Sequence, residues 1–186
     1  LGARPHQLGP GDVLYFVIRV QGEVADKVAD LTSMVFRENR LTGARRPKRV
    51  LHVTLCCVGT WGAKPADFWE RIEVAVRRVV IHPFVAEFDY VMNFGRKGED
   101  HAIVLVGGDG VIGFYMLFDS LRKGLREAGF ALASSYTPHI TIIYDRRSAS
   151  EGYVPPIRWV VREIALVCSL IGKSKHVPLR EWPLAG

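Results

Sequence analysis

Leu51-His52-Val53-Thr54-Leu55 is answered far downstream by Pro138-His139-Ile140-Thr141-Ile142, so an H-x-T triplet stands twice inside an apolar, β-branched run. Successive side chains of a strand point to opposite faces, which puts His52 with Thr54 on one face and Val53 with Leu55 on the other. His139 and Thr141 share a face in the same way. With six His and six Thr in the chain, chance supplies one such triplet about a fifth of the time and two roughly once in sixty. The repetition carries the signal.

The surroundings repeat as well. Upstream of the first motif, Val13 to Val20 reads as a buried strand, and Val24, Val28, Leu31 and Val35 recur on one face of a helix ending near Asn39. An Arg-rich loop with Gly43 and Pro47 then leads into a strand from Val50 to Val58. Upstream of the second motif, Ala102 to Val106 reads as a strand, and Phe114, Leu117, Leu121 and Leu125 mark a helix from Val111 to Ala128 capped by Gly129. The order β-α-β with H-x-T on the last strand therefore covers 13–58 and again 102–144. This predicts an α+β class with two lobes related by approximate two-fold symmetry, each a mostly antiparallel sheet backed by helices. The two motifs would meet in a central cleft.

The remaining segments fit around these units. Residues 1–12 read as a flexible leader and 13–186 as a single bilobal domain. Lys64-Pro65 opens a helix with Phe68, Ile72, Val76 and Val79 inward. Phe84, Ala86, Phe88, Tyr90, Met92 and Phe94 alternate as the core face of one long strand. Gly95-Arg96-Lys97-Gly98 turns the chain into the next strand. Gly107-Gly108-Asp109-Gly110 lacks the G-K-[ST] of a phosphate loop and reads as a turn. Pro155-Pro156 precedes a long strand from Trp159 to Leu170, and the turn Gly172-Lys173-Ser174 leads to a last strand from Lys175 to Leu179.

Composition narrows the function classes. The 186 residues are 48% hydrophobic and 24% charged, as in ordinary globular proteins. The longest apolar runs fall short of the ~20 residues that cross a bilayer, and no secretory signal is visible, so the expected location is cytoplasmic. Cys56, Cys57 and Cys168 suggest neither a disulfide framework nor a thiolate metal site, and read as small buried apolar side chains. The net charge is +6. Arg37, Arg40, Arg45, Arg46, Lys48 and Arg49, with Glu38 the one acid among them, crowd the approach to His52 as an electrostatic funnel for phosphates.

Two histidines in one cleft suit phosphoryl transfer, one neutral ring accepting a proton while the other, protonated, donates one. Each Thr hydroxyl, on the same face, can donate to a non-bridging phosphate oxygen. Neither His has an Asp or Glu beside it, so no metal cofactor is expected. No G-x-S-x-G context marks a nucleophile, and no obligatory protein partner is inferred. His6, His82, His101 and His176 lack a comparable context and read as ordinary surface or structural residues.

At these residues the sequence resembles the 2H phosphoesterase superfamily, named for its two H-x-T motifs, and within it the bacterial 2′-5′ RNA ligase family, also called RNA 2′,3′-cyclic phosphodiesterases. The resemblance rests on Leu14-Tyr15-Phe16-Val17, on Leu51 to Leu55 through Gly59, on Thr137-Pro138-His139-Ile140-Thr141, and on the end from Leu166 through Gly172 to Trp182-Pro183-Leu184. It implies a bilobal fold, metal-independent hydrolysis of a 2′,3′-cyclic phosphate to a 2′-phosphomonoester, and weak reversible joining of RNA ends through 2′-5′ linkages. It implies that His52 protonates the leaving ribose oxygen and His139 activates water, although the residues themselves leave that order open. Thr54 and Thr141 would hold the phosphate, and the substrates would be RNA ends or small cyclic nucleotides.

Where many members carry a substrate-binding arginine after the second motif, this chain has Tyr144, with Arg146 or Arg147 as substitutes. Arg49, Tyr144 and Arg146 are accordingly the substrate-binding candidates. Two other readings use the same residues. One is a non-catalytic single-stranded RNA-binding module that holds bases on exposed aromatics such as Tyr136 or Phe94. The other is the same chemistry on a different cyclic phosphate, such as an ADP-ribose cyclic phosphate.

Overall fold

A computed structural model describes residues 8–95 and 100–185. In chain order its elements are β1 (Val13–Arg19), α1 (Gly22–Glu38), β2 (Ala44–Arg45), β3 (His52–Thr60), α2 (Phe68–Val76), β4 (Phe84–Phe94), β5 (His101–Val106), α3 (Ile112–Glu127), β6 (Ile140–Asp145), β7 (Gly152–Val161), β8 (Glu163–Leu170) and β9 (Lys175–Pro183). The sheet runs β7-β4-β5-β6-β3-β1-β8-β9, with β2 added against β6. Every pairing in it is antiparallel. Its halves, β7-β4-β5-β6 and β3-β1-β8-β9, join through one residue pair, Val53 opposite Ile140. This is the α+β, two-lobed architecture that the repeated motif predicts.

The two-fold likeness extends to an irregularity. In β1 and β3, Phe16 pairs with Cys56 and Val17 with Thr54, so Leu55 is an extra residue. In β5 and β6, Ile103 pairs with Ile143 and Val104 with Thr141, so Ile142 is the extra residue. A bulge one residue past each H-x-T lets two consecutive side chains point inward, and Leu55 with Cys56 and Ile142 with Ile143 are indeed buried as neighbours. Period-two alternation holds only as far as each Thr.

Behind the sheet, α1 buries Ala25, Val28, Leu31, Thr32 and Val35 and lies against β6 and β7, while α3 lies against β3 and β4. The helices thus tie together the halves that the sheet joins at one point. In α3, Phe114 meets Phe84 and Phe88 at centroid distances of 5.2 and 5.7 Å, and Phe88 stacks on Trp159 at 5.5 Å. Burying each such ring contributes about 2–3 kcal/mol. Gly124 brings α2 and α3 close together, since a Cβ there would lie 2.6 Å from the Ala75 carbonyl oxygen.

Several elements differ from their sequence reading. In β4 Phe84, Ala86 and Phe88 stay on the core face. A register break between Phe88 and Tyr90 passes burial to Val91, 1% exposed, and turns Tyr90, Met92 and Phe94 the other way. Pro155 and Pro156 lie inside edge strand β7, in that same break, where a missing N–H interrupts no pairing. The long strand from Trp159 to Leu170 is two strands, because the chain crosses at Arg162 from one half of the sheet to the other. The first motif's strand begins at His52, after a 3-10 turn at Lys48–Val50, α2 begins at Phe68, and β9 runs on to Pro183. Cys56 and Cys168 are buried but Cys57 is exposed. Arg96, Lys97 and Gly98 of the expected turn, and residues 1–7 with His6, lie outside the described residues. Among the described residues no helix is long and apolar enough to cross a membrane.

The Arg-rich loop is fastened to the end of β6 by Asp145, 3% exposed. Its carboxylate accepts the backbone N–H of Thr42 at 2.6 Å, of Arg147 at 2.7 Å and of Gly43. The loop crosses β6 so closely that a Cβ on Gly43 would lie 2.0 Å from the Tyr144 carbonyl oxygen. Burial alone would raise the Asp145 carboxyl, but donors from Arg147, Gly43, Thr42 and Arg146 outweigh it and hold the group below its ordinary range. Asp145→Asn should therefore cost about 2 kcal/mol at neutral pH in a denaturant titration, as loss of charge-assisted bonds does. Since the folded carboxyl is the stronger acid, its contribution is present above the unfolded value of 3.8 and disappears as pH falls through the folded one. A variant equal to the unaltered chain at pH 7 would show that the loop does not depend on this carboxylate.

Candidate active site

Val53 and Ile140, both 0% exposed, face the core, so the residues flanking them face the open side of the sheet. Carried one residue either way, the antiparallel register sets His52 across from Thr141 and Thr54 across from His139. Four polar side chains from distant parts of the chain thus share one small patch. Val17 opposite Thr54 and Val104 opposite Thr141, both 0% exposed, form its apolar floor.

Each imidazole is fixed by its own strand's entry. His52 Nδ1 lies 2.7 Å from the Val50 carbonyl oxygen, and His139 Nδ1 lies 2.7 Å from that of Thr137. A carbonyl only accepts, so Nδ1 carries the proton and donates in both cases. Nε2 is left for chemistry, as a base when the ring is neutral and as an acid when it is charged. The 3-10 turn at Lys48–Val50 and the extended residue before Pro138 present these carbonyls.

The surroundings of the two rings differ. The His176 ring of β9 meets His52 edge-on at a centroid distance of 4.7 Å, whereas Phe94 of β4 occupies the corresponding role beside His139 at 4.9 Å. Burial lowers the His52 imidazole against the opposing pull of its Val50 hydrogen bond, and the charges of Arg46 and His139 lower it further. Burial, then His52, then Arg46 push His176 down to about 4. No motif marks His176. Its placement follows from β9 pairing with β8, where it opposes Ser169, a contact that local sequence does not reveal.

The basic run divides among several tasks. Lys48 pairs with Asp26, and Arg45 lies over Phe36 with its guanidinium 5.1 Å from the ring centroid. Arg46 is the cation at the motifs. Its N–H donates to the Ile142 carbonyl at 2.8 Å, its guanidinium lies 5.7 Å from the Tyr144 ring centroid, and it forms no ion pair with the described residues. Arg49 lines a cavity of about 390 Å³ together with Arg19, Lys48 and His176.

Of the other candidates, Arg146 is held by Asp100 with its side chain 80% exposed, and the Arg147 guanidinium donates to the Arg40 carbonyl at 2.7 Å. Both guanidinium groups thus have partners at the end of β6. Tyr15, raised by burial and then by Cys57 and Tyr144, keeps its phenolic proton on the same side of the sheet. Tyr136 is packed in a stack on Phe118 at 4.3 Å, and Phe94 lies on His139, so neither is a free platform for a base. Among the described residues no three His, Cys, Asp or Glu side chains group as metal ligands.

The sequence pattern of a family described as the 2′-5′ RNA ligase superfamily matches residues 20–169. No curated protein matches the sequence significantly. Among solved structures, the chain is similar to a phosphoesterase at 20% identity and TM-score 0.77, covering 95% of this chain and 99% of that one. It is similar to Escherichia coli LigT complexed with 3′-AMP at 21% identity and TM-score 0.75, covering 94% and 99%. A Thermus thermophilus protein, TT0787, follows at 22% identity and TM-score 0.68, covering 94% and 98%. At these identities the likeness is one of fold.

The buried histidines make stability depend on pH. An unfolded His binds its proton near 6.5, whereas His176 in the fold does so near 4, so the unfolded state holds more protons between these values and stability falls as pH drops through that window. Ring NMR should find His176 neutral at pH 6, and His176→Phe should flatten the decline of the melting temperature between pH 6.5 and 4. A His176 resonance titrating near 6.5 would contradict this burial.

Proposed function

The chain belongs to the 2′-5′ RNA ligase superfamily, and we propose that it is a phosphodiesterase opening RNA or nucleotide 2′,3′-cyclic phosphates to 2′-phosphomonoesters by two-histidine acid and base catalysis. The observation that carries this reading is the single pair Val53–Ile140, which sets both H-x-T motifs side by side on an open face. The matched Nδ1 hydrogen bonds support it, because they leave two Nε2 atoms for one substrate.

In this reading one imidazole takes a proton from water as its oxygen bonds to phosphorus. The other gives a proton to the ribose oxygen as the phosphorus–oxygen bond breaks. Thr54 and Thr141 donate to the non-bridging oxygens, where charge grows in the transition state. Arg46, beside the Tyr144 ring, balances the phosphate charge, and the Tyr144 face takes part in binding the nucleoside. Arg49 in its cavity wall serves an adjoining phosphate, and Arg146 stays peripheral. A 5′-hydroxyl of RNA in place of water gives a 2′-5′ linkage by the same proton transfers. The fold neighbour LigT is described in complexes with 3′-AMP, NADP+ and ATP, which supports ligands of nucleotide size here.

The test is hydrolysis of a nucleoside 2′,3′-cyclic phosphate in excess chelator. The unaltered chain should turn over, and His52→Ala and His139→Ala should each lose about 10³-fold. Thr54→Val or Thr141→Val should lose about 10²-fold, equivalent to ~3 kcal/mol of transition-state stabilisation. Chromatography of the product should find the 2′-phosphate. Nucleotide binding without turnover, unaffected by His139→Ala, would instead indicate a binding module.

A further inference from the structure

We infer that the cavity of about 390 Å³ beside the first motif is a second subsite, which takes the phosphodiester on the 5′ oxygen of the cyclic nucleotide together with the nucleoside beyond it. The preferred substrate is then an RNA end of two or more nucleotides rather than a single nucleoside 2′,3′-cyclic phosphate. This rests on the phosphodiesterase reading and deepens it. His176 joins the two places, since its ring lines the cavity and also meets that of His52 at a centroid distance of 4.7 Å. A ligand in the cavity is therefore one ring away from the H-x-T patch.

Three cations line the cavity, Arg19, Lys48 and Arg49, and they are not equivalent. Arg19 is engaged by Glu163 and Glu181. Lys48 holds Asp26, the one acid among the described residues of the wall, at 2.5 Å. Arg49 is exposed and forms no ion pair with the described residues, so the charge left over in the wall is its own. Beneath these cations Val20, Leu51 and Val167 are buried and make an apolar floor. A cationic rim over such a floor focuses its field on an anion and leaves an apolar surface for a sugar and a base. The volume exceeds what a lone phosphate fills and lies in the range, ~300–1,000 Å³, of pockets that hold small organic ligands.

The basic loop separates its two uncommitted guanidinium groups. Arg46, ahead of Pro47, stands over the Tyr144 ring at 5.7 Å, whereas the 3-10 turn at Lys48–Val50 carries Arg49 into the cavity wall. Such an arrangement suits two phosphates with one ribose between them. On the other side of the patch the Phe94 ring stands beside His139 and offers no charge to a phosphate. The substrate chain is accordingly directed over β1, β8 and β9, the half of the sheet that carries the cavity.

The test compares a nucleoside 2′,3′-cyclic phosphate with a dinucleotide that ends in the same cyclic phosphate, at ~50 mM salt. For the unaltered chain the dinucleotide KM should be about tenfold lower, as one added charge-assisted contact gives. Arg49→Gln should bring the two KM values within about twofold of each other. Pro178→Glu, which sets a carboxylate at an exposed wall position on β9, should do the same without altering the basic loop. Replacing the linking phosphodiester by an uncharged methylphosphonate should remove the advantage from the unaltered chain and change nothing for Arg49→Gln. Equal KM values on the unaltered chain, or an advantage that survives either substitution or the methylphosphonate, overturns the subsite and leaves the phosphodiesterase reading standing. Turnover of neither substrate by the unaltered chain overturns that reading, and the subsite with it.

Discussion

One backbone pairing, Val53 against Ile140, decides what this molecule can be. It joins two four-stranded halves into a continuous sheet, and it does so at the middle residue of each H-x-T. Because side chains alternate, pairing the middle residues inward turns all four flanking polar residues outward together. A slip by one residue would bury the histidines and expose Val53 and Ile140, so the core's demand for those two apolar side chains also positions the chemistry. The helices reinforce the join from behind, α1 on β6 and β7 and α3 on β3 and β4, so that the cleft is not a hinge held by one pair alone.

The bulges past each Thr explain how one strand serves both a site and a core. Leu55 and Ile142 let each strand bury two neighbours in succession and then resume alternation out of phase. Without that change of phase, Cys57 and Tyr144 would not be exposed on the site side, since plain alternation from Thr54 puts Cys56 there instead. Bulges near functional residues commonly re-aim side chains in this way. Here the device has been used at the same position in both halves, which is stronger evidence of a common plan than the H-x-T triplets alone.

How much of this was legible beforehand follows from range. The triplets, the helical stripes and the strand–helix–strand repeat depend on neighbours within a few turns, and the sequence shows them: His52 and His139 do share a face, and Phe114, Leu117, Leu121 and Leu125 are all buried. What depended on distant pairing was not legible. The break between Phe88 and Tyr90 lies in the pairing with β7, and beyond it Phe94 meets His139. Pro155 and Pro156 look like strand breakers until their strand is known to be an edge. Arg146 is marked by its place after the motif, whereas Arg46 reaches the motifs from a loop that Asp145 holds across β6, a contact made over a hundred residues away in sequence. His176 had no local context because its context is His52.

A perfectly symmetric pair of histidines would be a poor acid and base. If both rings had the same proton affinity and did not interact, each of the two half-protonated arrangements would hold at most about a quarter of the molecules, and only one arrangement is productive for a given substrate orientation. Any influence that lowers proton affinity at the base shifts population toward the productive arrangement over the pH range between the two titrations. Any influence that lowers it at the acid does the reverse and depletes the productive form. Arg46 lowers His52 by its charge, and the His176 ring lies against His52 on a side where water would otherwise solvate the imidazolium, adding to the burial that lowers it most. β9 and the basic loop therefore bear on the first motif's histidine, while the second has the Phe94 ring of β4 beside it.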